Sequence, residues 1–169
     1  MKVSLLTLII LLFSISLNAQ DNPIYQDKTI AYKDFRINGL LFISSKKDII
    51  KEFGSPSKVF EPHYECGFFS EDEQGAKYYA LKYEHFQFIG NDTEKYQLEE
   101  LNFNADSDVK ITYKGKVLSS QTTKQDFADI FKITFNTEAV AFFYTGADCS
   151  LIFEFLNGRL SKMEFWSPC

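Results

Sequence analysis

Few residues in this chain are of types that do chemistry, and their spacing limits what they can do. His63-x-Glu65-Cys66 carries the His-x-Glu pair used in zinc-dependent deamination. That chemistry needs a downstream Pro-Cys-x-x-Cys to complete the metal site, and Pro168-Cys169 supplies no such run. With 2 His and 3 Cys there are few ligands at metal spacing, so no metal and no cofactor is expected. Asp106-x-Asp108 opens like a calcium loop, but Lys110 stands where a third ligand belongs and no Glu follows at the required place. It reads as a turn. His85 lies in an aromatic stretch and reads as a packed histidine. A catalytic thiol needs a base; His63 precedes Cys66 by three residues, with nothing else protease-like around it. Neither a nucleophile elbow nor a glycine-rich phosphate loop is present. The residues therefore point away from catalysis and toward binding.

Charge narrows the partners. The chain has 18 basic and 23 acidic side chains, a formal net charge of −5. Nucleic acid and anionic membrane surfaces both need a basic patch, and no run of Lys or Arg exists. Residues 1–19 read as a signal peptide: Lys2, an apolar run over 3–15, and a small residue before a cleavage point at Ala19-Gln20. The protein is then exported, periplasmic or extracellular, with no membrane span after the leader is removed. In an oxidising compartment Cys66, Cys149 and Cys169 allow one disulfide and one leftover thiol, with three possible pairings.

The organising stretch is residues 37–56. Asn38-Gly39 is a turn signal, and residues 40–43 form a short apolar run. Ser45-x-x-Asp48 starts a helix, since the hydroxyl can accept from an orphan N–H of the first turn. Ile49, Ile50 and Phe53 form its apolar stripe, and Gly54-x-Pro56 stops it. A looser copy runs over 113–131: Lys114-Gly115, Val117-Leu118, Thr123-x-x-Asp126, then Phe127, Ile130 and Phe131. It lacks the Gly-x-Pro stop, so its helix ends near Phe131 or Lys132. Helices this short need packing to persist, and the aromatic content (18 Phe, 9 Tyr, 1 Trp) favours a sheet as the support.

Around these helices, strands are expected within 78–89, with a bulge or reversal at Glu84-His85, and over 98–103 and 109–113. Further strands fall over 139–144, 151–155 and 160–166, with a turn at 145–148. Residues 61–76 and 90–96 read as loops. Leu-x-x-Leu-x-Phe at 98–103 matches Leu-x-x-Met-x-Phe at 160–165. The fold class is α+β: two tandem repeats, each a short helix packed on an antiparallel meander, forming one curved sheet. Residues 1–19 are the leader, 20–36 an N-terminal arm, 37–106 the first repeat and 107–169 the second.

For the last hairpin, burial favours a three-residue loop at Leu156-Asn157-Gly158 with a bulge. That register sets Leu151 opposite Met163 and Phe153 opposite Ser161. Leu151, Phe153, Phe155, Met163 and Phe165 then share one face. Ile152, Glu154, Leu160, Lys162, Glu164 and Trp166 share the other.

A capped short helix ending in Phe53-Gly54-x-Pro56, followed by an aromatic antiparallel sheet and then repeated, resembles the β-lactamase-inhibitor-protein-like fold. It is also similar to the small outer-membrane lipoprotein domain of the barrel-assembly machinery. Ser45, Asp48, Phe53, Gly54 and Pro56 carry the likeness, with Thr123, Asp126 and Phe131 as the second copy. It spans most of 37–166 and departs in three respects. The second half has no Gly-x-Pro, each half has one helix instead of a pair, and no lipoprotein Cys stands at the cleavage point. The resemblance implies tandem helix-on-sheet units that bind other proteins through the sheet's concave face.

Two functions are weighed. One is a non-catalytic protein-binding module of the envelope, of inhibitor, immunity or adaptor type, whose partner is another exported or envelope protein. Trp166, Ile152, Glu164 and Tyr144 are its candidate contact residues, since Tyr and Trp are typical interface anchors. The other is a structural envelope protein without a tight partner. A small-pocket enzyme is a third reading, which a deep pocket pairing His85 with a carboxylate would carry.

Overall fold

The structure is a computed structural model that describes residues 22–103, 108–144 and 148–169. The leader at 1–19, Asp106 of the calcium-like pair and most of the 145–148 turn lie outside the described residues. Among the described residues no helix is long and apolar enough to cross a membrane.

The fold is mixed α+β and mostly sheet, with three short helices among the described residues. The first half runs β1 (Ile24–Ile30), a 3₁₀ turn (Tyr32–Asp34), β2 (Phe35–Ile37), β3 (Leu40–Leu41), β4 (Ile43–Ser44), α1 (Lys46–Phe53), β5 (Lys58–Phe60), α2 (Glu71–Gln74), β6 (Tyr79–Lys82), β7 (Phe86–Asn91) and β8 (Lys95–Asn102). The second runs β9 (Ile111–Tyr113), β10 (Lys116–Leu118), α3 (Lys124–Phe131), β11 (Ala139–Tyr144), β12 (Ser150–Leu156) and β13 (Arg159–Trp166).

The helix starts follow from local chemistry. The Ser45 hydroxyl accepts from the Asp48 N–H at 3.2 Å, and Thr123 with Asp126 forms a full capping box. Gly54 ends α1 at φ +77, and Lys132 ends α3 in the left-handed region. Ile49, Phe127 and Phe131 are buried as their spacing requires, whereas Ile50 is exposed. An eight-residue helix turned toward one sheet face hides a narrow stripe, and Ile50 falls outside it.

The strands form two sheets instead of the single one expected. An open, curved nine-stranded sheet runs β1-β11-β12-β13-β8-β7-β6-β5, with β4 also on β8. A four-stranded sheet runs β10-β9-β2-β3. The second sheet exists because the hairpins at Asn38-Gly39 and Lys114-Gly115 pair with each other, Arg36 lying opposite Thr112. The N-terminal arm is not separate either: β1 joins the large sheet by parallel pairing with β11. Lys28 Nζ also donates to the Phe131 carbonyl at the end of α3.

The last hairpin differs from the expected register. Leu156 pairs with Arg159 across a two-residue turn, with Asn157 at φ +53 and Gly158 at φ +74. Both central residues sit at positive φ, the primed turn whose twist matches the strands. A bulge at Ser161 then shifts the pairing, so Phe153 faces Met163 and Leu151 faces Phe165. The bulge does the work assigned to a longer loop, and Leu160 moves from the mixed face into the core at 1% exposure.

The core lies between the large sheet, the two longer helices and the small sheet. Phe127 meets Phe153 at 5.0 Å, Phe131 meets Phe142 at 4.9 Å, and Phe53 meets Phe86 at 4.8 Å between ring centroids. Phe35 of the small sheet packs tilted on Tyr113 at 4.7 Å and stacks on Phe42 at 5.0 Å. Both longer helices therefore cover one face of the large sheet, while the loop bearing α2 meets the other at Ile89 and Gln97.

Candidate functional site

Directly paired residues of a sheet project to the same face. Ile152 lies opposite Glu164, and Ser150 opposite Trp166. On the neighbouring strand Ala141 pairs with Ile152 and Phe143 with Ser150. Trp166, Glu164 and Ile152 thus share the face turned away from Phe142, Leu151 and Phe153. Tyr144 does not join them. It is next to Phe143 on β11, so it points to the other face, where its ring meets Tyr32 at 5.0 Å and Phe165 at 6.2 Å.

The face turned away from the two longer helices presents aromatic rings that the sequence reading passed over. Phe143 and Trp166 flank Ser150, which is 1% exposed, and Tyr25 of β1 meets Phe143 at 5.3 Å. Trp166 is 42% exposed, Phe143 46% and Tyr25 44%. No loop buries Trp166. Ile152 is buried at 7% beside them, and Glu164 pairs with Lys162. Phe143 was hidden in the run Ala139–Tyr144, whose first four residues are all buried. Tyr25 was hidden because nothing local says which strand β1 joins.

Past Glu100 and Glu164 the strands β8 and β13 part company, since β4 takes over the edge of β8 at Gln97 and Tyr96. The loop before α2 bridges this opening. Cys66 is bonded to Cys169, the Phe68 N–H donates to Ser167 Oγ at 3.1 Å, and the Tyr64 hydroxyl donates to Glu99. Phe69 packs on Phe165 at 5.5 Å, on Tyr78 at 5.4 Å and on Tyr64 at 6.1 Å. This settles the disulfide as Cys66–Cys169 and leaves Cys149 as a buried free thiol, pushed up in pKa by burial and by Asp148.

A cleft of about 510 Å³ opens between this loop and the end of β13, walled by residues including Tyr64, Glu65, Glu99 and Trp166. A second, of about 340 Å³, lies by Phe68, Tyr78, Gln97 and Tyr144. Burial and the adjacent Glu99 carboxylate push the Tyr64 phenol well above its usual value. Burial and the hydrogen bond to Glu94 push Tyr78 up to about 12.

The residues singled out for chemistry do not assemble. Cys66 is consumed in the disulfide, and the His63 side chain is 77% exposed with Glu61 at 3.5 Å. His85 meets its neighbour Glu84 at 3.9 Å in the β6–β7 reversal. Among the described residues no group of three His, Cys, Asp or Glu is arranged to hold a metal. No protein-family model, curated protein or solved structure matches this chain.

Proposed function

We propose that the protein is an exported, non-catalytic protein-binding module of the cell envelope, of inhibitor, immunity or adaptor type. It docks another exported or envelope protein on the sheet face that carries Trp166, Ile152 and Glu164. One observation carries the reading: Trp166, Phe143 and Tyr25 stand 42, 46 and 44% exposed on one sheet face that neither longer helix covers. Rings of this kind bring large contact area at low entropic cost and anchor interfaces. Tyr144 is withdrawn from the contact set because it faces the other way. The Cys66–Cys169 disulfide supports an oxidising compartment, and the leader at 1–19 supports export.

The architecture is proposed as two tandem helix-on-sheet units, in the manner of β-lactamase-inhibitor-protein-like folds. Support comes from matching irregularities. In β8 Glu99 is the extra residue, with Phe88 opposite Leu98 and Gln87 opposite Glu100. In β13 it is Ser161, with Phe155 opposite Leu160 and Glu154 opposite Lys162. Leu-x-x-Leu-x-Phe and Leu-x-x-Met-x-Phe thus carry a bulge at the same position, and bulges are features that sequence families keep.

Affinity capture tests the binding reading. The leaderless chain is used as bait on envelope and culture-supernatant fractions, beside Trp166→Ala. One protein held by the wild type and lost by the variant is expected. Equal capture by both, or capture of nothing, overturns the site and favours a purely structural role in the envelope.

A further inference from the structure

We propose that the cleft beside Trp166 receives an arginine side chain of the partner protein, an inference that rests on the binding-face reading and gives it a chemical anchor. The cleft, about 510 Å³, has Trp166 and Tyr64 among its aromatic walls and Glu65 and Glu99 as its carboxylates. Among the described residues its walls include no lysine or arginine, and His63 at the rim is their one basic group.

Three other carboxylates of this sheet lie beside lysines, two of them sharing Lys162. Glu100 lies 3.6 Å from Lys82, Glu154 lies 3.9 Å from Lys162, and Glu164 also pairs with Lys162. Among the described residues Glu65 and Glu99 form no ion pair. Glu99 is instead held by two neutral donors, the Tyr64 hydroxyl and Gln87 Nε2, the latter at 2.7 Å. They fix its direction without supplying a positive charge. The Cys66–Cys169 bond fastens the loop bearing Tyr64 and Glu65 to the chain just beyond Trp166. The cleft is therefore assembled before any partner arrives, which lowers the ordering cost of binding.

A guanidinium suits this setting better than an ammonium. It is planar, stacks on indole and phenol rings, and presents a donor fork to carboxylates. The net charge of −5 adds long-range attraction for a basic surface.

Trp166 is the sole tryptophan, so its fluorescence reads the cleft directly. The leaderless chain is titrated with Nα-acetyl-arginine amide and with Nα-acetyl-citrulline amide, which has nearly the same shape and no charge. A saturable change with the arginine probe is expected, at least about tenfold tighter than with citrulline. Glu65→Gln with Glu99→Gln weakens the arginine response by at least about tenfold; Glu65→Gln alone, on the exposed loop, weakens it in the same direction. Equal response to both probes, no saturation by about 50 mM arginine probe, or an unchanged response in the folded variants overturns the assignment. The two readings separate cleanly. If Trp166→Ala loses the captured protein while the glutamine variants keep it, the arginine anchor alone falls. If Trp166→Ala keeps it, the binding face falls.

Discussion

Leu101 and Met163 lie directly opposite each other in the antiparallel pairing of β8 with β13, both fully buried, at the seam where the two halves of the large sheet join. This seam is short, since β8 and β13 share three paired positions.

Truncating either seam residue should therefore be costly. Leu101→Ala and Met163→Ala should each lower stability by about 2–5 kcal/mol, through lost burial and the cavity left behind. Urea denaturation measures this. A loss below about 1 kcal/mol for both would mean that the seam is not tightly packed.

Removing the disulfide should act mainly on the unfolded chain. Cys66 and Cys169 are 103 residues apart, so their bond closes a long loop. Cys66→Ser with Cys169→Ser should cost roughly 2–5 kcal/mol in denaturant unfolding. The loop bearing Tyr64 should also become more open to proteolysis, because one of its ties is cut. Unchanged stability and unchanged cleavage would contradict this.

Gly90 matters for close approach, not for an unusual φ. A Cβ there would stand 2.1 Å from the Lys95 carbonyl oxygen and 2.6 Å from Tyr96 Cα across the β7–β8 hairpin. Backbone atoms cannot step aside as a flexible side chain would. Gly90→Ala should destabilise by about 1–3 kcal/mol, whereas Ala is otherwise preferred over Gly in ordered segments. Thermal unfolding of the variant decides it.

Alkaline pH should unfold the protein through its tyrosines. Burial pushes Tyr32 and Tyr64 well up, and Tyr78 and Tyr96 to about 12, against an ordinary value near 10. The folded state holds these protons more tightly than the unfolded state. Their contribution is fully present below about pH 10 and is lost as pH rises through about 12. Urea midpoints should be level from about pH 8 to about pH 9.5 and then fall, less steeply in Tyr64→Phe. A midpoint unchanged to about pH 11.5 would contradict the account.

What could be read from sequence was what local chemistry decides. The Ser45 and Thr123 caps, the Gly54 stop and the strand near Ala139 depend on neighbours a few residues away, and they stand in the structure. Alternation along β12 and β13 was enough to place Ile152, Glu164 and Trp166 on a common face. What could not be read depends on distant partners. The second sheet needs Arg36 to find Thr112, and β1 needs β11. The cysteine pairing depends on where the chain returns. Tyr144 was misplaced because two adjacent aromatics, Phe143 and Tyr144, cannot be assigned to faces until the sheet order is known. Glu99 entered the cleft only through the bulge that turns it and Glu100 to the same side.

The most direct test of the binding face is a titration of the captured protein against purified variants. Trp166→Ala should weaken binding by about 2 kcal/mol or more, a factor of about 30, as expected of a central aromatic anchor. Val117→Ala, also exposed but on the small sheet, should bind like the wild type. If Trp166→Ala binds as tightly as Val117→Ala, the sheet face assigned here is not the interface.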